Sequence, residues 1–129
     1  MSRSGKAYKI LIIEDEPDIM ELVTETLKST EDSYDILKAM EGEEGLHMAL
    51  TANPDLILLD IMLPKLNGYE ICRRLKSEAS TMKIPVVMLT AFGQKREIEE
   101  GFKVKADDYI VKPFDLNKLR QSVKKFLPA

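Results

Sequence analysis

Polar residues stand where apolar runs stop. Glu14 and Asp15 follow "YKILII", Asp60 closes "DLILLD", Thr90 closes "IPVVMLT" and Lys112 closes "DYIVK". The sharpest case is Asp60 inside "LILLDIMLP". An isolated carboxylate in apolar surroundings is costly or gives up its charge, so Asp60 is expected at the rim of a buried strand, facing solvent or a cation. Glu14, Asp15 and Asp60 brought together would repel one another unless a cation intervened. An all-oxygen donor set favours a hard cation, Mg²⁺ first, with water and a phosphoryl oxygen completing the coordination. Lys112 adds a compact positive charge and Thr90 a hydroxyl donor. A carboxylate nucleophile, a hard cation, a lysine and a hydroxyl are the parts needed to form an aspartyl phosphate, a reaction governed by positioning and by neutralising charge on the transferred group.

These side chains meet only if the runs that carry them are strands ending at one edge. The β-branched apolar runs 8–13, 55–60, 84–90 and 108–112 read as strands, and 34–40 as a fifth. Between them lie amphipathic stretches. The spacing predicts helices over 17–29 (Ile19, Leu22, Val23 and Thr26 inward) and 43–50 (Leu46, Ala49 and Leu50 inward). It predicts others over 67–78 (Gly68, Ile71, Cys72 and Leu75), 94–104 (Ile98, Gly101 and Phe102) and 116–127 (Leu116, Leu119, Val123, Phe126 and Leu127). Pro17 suits a first helical turn, Asn67 with Glu70 resembles a capping box, and Asp115 is placed to cap the last helix. Five strands alternating with five helices argue for an α/β fold, a parallel sheet with helices on both faces. Such sheets bind ligands outside the carboxyl ends of their strands, where the polar residues stand.

The 129 residues fit one domain, 44% hydrophobic and 32% charged, with a net charge of −3 that gives no electrostatic reason to expect nucleic acid or an anionic membrane as direct partner. No apolar run is long enough to span a bilayer, and "MSRSGKAYK" is no signal peptide. The single cysteine, Cys72, excludes an internal disulfide and suits a reducing cytoplasm.

Together the motifs "IIEDEP", "LILLDIMLP", "NGYEI", "IPVVMLTA" and "ADDYIVKPF", in this order, resemble the response-regulator receiver domains of two-component signalling. The resemblance runs from about Lys9 to Leu127, leaving 1–8 as a flexible leader and 9–127 as the receiver domain. It implies a flavodoxin-like, doubly wound five-stranded sheet of order 2-1-3-4-5. It also implies Asp60 as phosphoacceptor and Mg²⁺ held by Glu14, Asp15, Asp60 and the Met62 carbonyl. Thr90 and Lys112 would contact the phosphoryl group, and Pro113 would follow a cis peptide bond. Thr90 and Tyr109 would form the switch, and Met62 and Phe92 would gate the attacking water. The implied partners are a histidine kinase or histidine phosphotransfer protein upstream and an output protein or domain downstream. Dimerisation would use the face built by the 94–104 helix, the last strand and the last helix. The domain would be no enzyme, although it assists its own phosphorylation and dephosphorylation.

Other readings fit less well. A flavodoxin-type electron carrier would need a hydroxyl- and glycine-rich phosphate loop where "EDEPD" stands. A haloacid-dehalogenase-type phosphatase would need a second aspartate where Met62 stands. A non-phosphorylated pseudo-receiver scaffold would lack an acid or the lysine, and all are present. Cys72 reads as a core residue, His47 as a solvated surface histidine and Tyr109, by residue type alone, as packing. One departure stands out: relatives commonly read "GADDY" and this chain reads "KADDY", putting Lys105 where a glycine would end a helix in the left-handed conformation.

Overall fold

The unbroken apolar runs become strands because both of their faces are covered. The computed structural model describes residues 7–28, 33–90, 105–112 and 115–128. β1 (Tyr8–Ile13), β2 (Tyr34–Ala39), β3 (Leu56–Asp60), β4 (Val86–Thr90) and β5 (Asp108–Val111) form one parallel sheet in the order β2-β1-β3-β4-β5. Successive side chains point to opposite faces. Ile10, Ile12, Leu56, Leu58, Val87 and Leu89 meet α1 (Pro17–Lys28) and α4 (Leu116–Phe126). Leu11, Ile13, Ile57, Leu59, Val86 and Met88 meet α2 (Gly42–Ala52) and α3 (Gly68–Ser77). Burying each such side chain contributes about 1.5–3 kcal/mol, so the centre of the sheet is its most firmly held part. The expected strand order is observed. The helix expected over 94–104 lies outside the described residues, as do Ala91, Phe92 and Pro113. Among the described residues no helix is long and apolar enough to cross a membrane.

The inward face expected for α3 is buried throughout: Gly68, Ile71, Cys72 and Leu75. Burial pushes the Cys72 thiol up to about 11, as suits a core residue. Asp115 caps α4, its carboxylate accepting the Asn117 N–H at 2.9 Å. His47 is exposed. The Asn67 carboxamide accepts the Glu70 N–H (3.1 Å), which is one arm of the expected capping box. The Glu70 carboxylate is instead taken by Arg73 and Arg74 one turn on.

Two expectations are corrected. Leu22 is exposed, because α1 turns Met20, Val23 and Leu27 inward together with Thr24 and Thr26. Those threonines can be buried because their hydroxyls donate to the Met20 and Leu22 carbonyls, both at 2.7 Å. Leu50 is also exposed; α2 lies close on the sheet through Gly42, Gly45 and Ala49, and that rotation carries Leu50 out. Tyr8 opens β1, as the 8–13 run predicts, and its hydroxyl donates to the Pro128 carbonyl (3.0 Å).

Lys105 does adopt the left-handed conformation, φ 65°. A side chain there costs about 1 kcal/mol or more, where glycine would sit without strain. Lys105→Gly is therefore expected to stabilise the fold by about 0.5–1 kcal/mol, after the loss to unfolded-chain entropy. Denaturant unfolding at matched m-values measures it; a less stable glycine variant would mean that the lysine side chain gains more from its surroundings than its backbone loses.

Candidate functional site

Parallel register brings the polar strand ends to one edge. Ile13 lies opposite Leu59, Asp60 opposite Leu89 and Thr90 opposite Val111. The ladder continues past the strands through Glu14 N–H to the Ala39 carbonyl (3.0 Å), Ile61 N–H to Leu89 (3.1 Å) and Lys112 N–H to Thr90 (2.6 Å). These bonds fix the backbone on either side of the acids, so the site inherits the rigidity of the sheet.

Glu14 and Asp60 are 0% and 1% exposed. The Lys112 ammonium donates to Glu14 Oε1 (3.0 Å) and Asp60 Oδ1 (3.3 Å) and lies 4.0 Å from Glu16 Oε1. Two backbone N–H groups complete the cradle: Glu16 donates to Glu14 Oε2 and Met62 to Asp60 Oδ1, both at 3.2 Å. Glu16 is a contributor that sequence reading passes over. "IIEDEP" offers a third acid in plain view, but only the loop conformation shows its N–H holding Glu14.

One carboxylate oxygen each from Glu14, Asp15 and Asp60 lies within 4.8 Å of the others. Asp15 Oδ1 and Asp60 Oδ2 are buried with no hydrogen-bond partner among the described residues. A buried acceptor left unpaired is costly, and a charged one more so. The donor set is all oxygen, with two of its atoms unsatisfied, so the residues fit a hard divalent cation.

The electrostatics agree. Burial, the neighbouring Asp60 carboxylate and its charge push Glu14 up to about 7, with Lys112 pulling the other way. For Lys112, burial alone favours the neutral amine, but its bonds to Glu14 and Asp60 outweigh that and hold its pKa above the ordinary value. The ammonium is therefore charged at neutral pH.

The remaining expected residues are also near this edge. Thr90 is buried at the end of β4, one residue beyond the partner of Asp60. The Met62 side chain is 60% exposed while its N–H is turned onto Asp60. Tyr109 lies opposite Met88 on β5, half-buried against the α3 side of the core. Burial, then the nearby Tyr69 and Cys72, push its phenol up to about 12.

Comparison with known proteins points the same way. Residues 10–124 match the family model of the response regulator receiver domain. The DNA-binding dual master transcriptional regulator RpaA of Synechocystis sp. is 44% identical over 119 residues, which cover 92% of this chain and 48% of that protein. The chain spans about half the length of the curated relatives it matches. The chemotaxis protein CheY4 of Vibrio cholerae has a TM-score of 0.86 at 27% identity, covering 94% of this chain and 99% of that one. The receiver domain of a Pseudomonas aeruginosa sensor histidine kinase, solved with a magnesium ion coordinated in its active-site cleft, has a TM-score of 0.86 at 25% identity, covering 96% and 100%.

Proposed function

The chain belongs to the response regulator receiver family, and on that premise we propose that Asp60 takes a phosphoryl group from the phosphohistidine of a histidine kinase or phosphotransfer protein. Glu14, Asp15, Asp60 and the Met62 carbonyl would hold a magnesium ion. The observation that carries this reading is the pair of buried, unpartnered oxygens, Asp15 Oδ1 and Asp60 Oδ2, beside a lysine that already grips Asp60. In the transfer an Asp60 oxygen attacks phosphorus. The new P–O bond forms as the P–N bond breaks, and the imidazole leaves neutral after taking up a proton. The Met62 N–H and Lys112 hold Asp60 Oδ1, which fixes the aim of the carboxylate. Lys112 and the Thr90 hydroxyl are placed to bind oxygens of the transferred group. Magnesium, when bound, supplies the positive charge that two buried acids and a phosphoryl group together require.

Movement of Thr90 toward the phosphoryl group would change the surroundings of Tyr109, and through β5 the face it shares with α4. An output partner, or a second copy of the chain, would read that face. A purely structural scaffold has no use for two desolvated carboxylate oxygens, which weighs against the pseudo-receiver alternative. Treatment with acetyl phosphate followed by intact mass measurement should find one labile phosphoryl group, formed only with magnesium present. No adduct in its presence would overturn the proposal.

The site also dictates a pH dependence. Glu14 is raised in the fold from 4.5 to about 7. The stability tied to its protonated form is fully present below pH 4.5 and is lost as the pH rises through about 7. Lys112, raised, and Glu70, lowered, stay in one protonation state between pH 6 and 8 and leave that window flat. Cation binding must displace the Glu14 proton. Chelator-treated protein should therefore melt lower at pH 8 than at pH 6, and added Mg²⁺ should raise the melting temperature more at pH 8. Equal magnesium responses at the two values would count against Glu14 as part of the cation site.

A further inference from the structure

A glycine stands directly behind the proposed phosphoacceptor. Gly68 is the first residue of α3, and its N–H donates to the Ile61 carbonyl at 2.9 Å. A Cβ built at Gly68 would lie 2.5 Å from the Asp60 carbonyl oxygen, 2.7 Å from Ile61 Cα and 3.1 Å from the Asp60 carbonyl carbon. All three are backbone atoms, of the residue that carries the reacting carboxylate and of the one after it. The glycines of α2 differ. At Gly42 the nearest atom would be the tip of the Ile71 side chain, and at Gly45 the side chain of Ile13. A side chain can turn aside; the backbone at the end of β3 is held by the sheet on both sides.

The same contact closes the loop that carries Met62. Gly68 N–H and Leu63 N–H both converge on the Ile61 carbonyl, at 2.9 and 3.2 Å. Within the loop that these bonds close, Met62 turns its N–H onto Asp60 Oδ1. Asn67, immediately before Gly68, caps the helix. The distance between the start of α3 and the backbone of Asp60 therefore sets where the Asp60 carboxylate points and where the Met62 peptide lies.

We propose that Gly68 is a positioning residue for the acid site: the missing side chain lets the first turn of α3 close onto the backbone of Asp60 and Ile61, and that closure aims the Asp60 carboxylate and the Met62 peptide. The inference rests on the phosphoacceptor reading above. An alanine must open the 2.5 Å approach to an ordinary contact of at least 3.4 Å. Displacements of this size at a reacting centre can cost about 100-fold in rate.

The experiment compares the parent chain, Gly68→Ala and Leu75→Ala. Leu75 is a buried residue of the same helix, and its truncation costs stability without touching the Asp60 backbone. Cooperative unfolding establishes that each variant is folded. Gly68→Ala should shift the amide resonances of residues 60–63 in metal-free protein. It should also raise the calorimetric Kd for Mg²⁺ several-fold, and at saturating Mg²⁺ lower the maximal rate of phosphorylation by acetyl phosphate roughly 10- to 100-fold. Leu75→Ala should leave the Kd unchanged. Should Gly68→Ala not fold, Asn67→Ala tests the same joint by loosening the helix start without adding atoms, and it should raise the Kd by a smaller factor. An unchanged Mg²⁺ affinity in the folded joint variant, or an equal loss in Leu75→Ala, overturns the inference. A parent chain that neither binds Mg²⁺ nor takes a phosphoryl group overturns the phosphoacceptor reading instead.

Discussion

Asp60→Asn is expected to lose the phosphoryl adduct completely and, without a divalent cation near pH 7.5, to unfold at a higher temperature than the parent chain. The loss follows from removing the nucleophile. The gain follows from what the carboxylate does while no phosphoryl group or cation is there to satisfy it. Asp60 is buried, its Oδ2 has no hydrogen-bond partner among the described residues, and its charge adds to the forces that push Glu14 up to about 7. A carboxamide is nearly the same shape and carries no charge. It keeps an acceptor for Lys112 and the Met62 N–H and gains donors that Glu14 can accept. Relief of an unsatisfied buried charge is worth about 1–3 kcal/mol. In a chain of 129 residues that corresponds to roughly 3–8 °C. With the Asp60 charge gone, the Glu14 pKa should fall and the decline of stability between pH 4.5 and 7 should flatten. Magnesium should then narrow or reverse the difference, since the parent keeps a ligand that the variant lacks. Thermal unfolding with chelator and with Mg²⁺, alongside intact mass after acetyl phosphate, tests both halves. An adduct on the asparagine variant would put the phosphoacceptor elsewhere. A lower metal-free melting temperature would mean that Asp60 is already satisfied.

Much of that arrangement is legible in the sequence. Asp60, Glu14, Thr90 and Lys112 read as neighbours because each ends an apolar run, and parallel strands in register must end at one edge. The strand order rests on resemblance, since alternation of strands and helices leaves several orders open. Residue type cannot tell which acid Lys112 grips; the register and the loop after β1 settle on Glu14 and Asp60 together. Leu22 and Leu50 mislead for a common reason. Helical periodicity fixes an apolar stripe only to within about a residue's rotation, and in both helices small or self-satisfied residues take the inner place. Thr24 and Thr26 bond their own helix, and Gly45 lets α2 close on Ile13. Lys105 is legible for the opposite reason, because a lysine at a glycine position announces a backbone conformation that composition and periodicity cannot.

Lys112→Met is expected to have the largest effect on stability, and one that depends on pH and cation. The ammonium is the only cationic group among the described residues within 4 Å of the Glu14 and Asp60 carboxylates, and its side chain is 13% exposed. Methionine keeps most of the aliphatic stem, so the packing loss is small and the charge loss is isolated. Without it, two buried carboxylates face each other unscreened, and removing one partner of a buried ion pair typically costs about 3–5 kcal/mol. Lys112 also pulls the Glu14 pKa down, so in the variant that pKa should climb above its present value of about 7. The sign then follows. At pH 5 Glu14 is protonated in both folded proteins and the penalty is smaller; it grows as the pH rises past about 7, where the parent's Glu14 ionises beside Lys112 and the variant's has no cation to ionise against. Mg²⁺ should restore much of the stability at pH 8 and bind more tightly than to the parent, because the competing positive charge beside the same carboxylates is gone. Phosphorylation by acetyl phosphate should nevertheless fall by about 100- to 1000-fold, the usual cost of losing one donor aimed at developing charge. Urea unfolding at both pH values, with and without Mg²⁺, separates the structural role of the lysine from its catalytic one. Equal destabilisation at pH 5 and pH 8 would show that Lys112 matters for its packing. Combining Lys112→Met with Asp60→Asn should cost less than the sum of the two changes, because the neutral side chain no longer needs the charge that was removed.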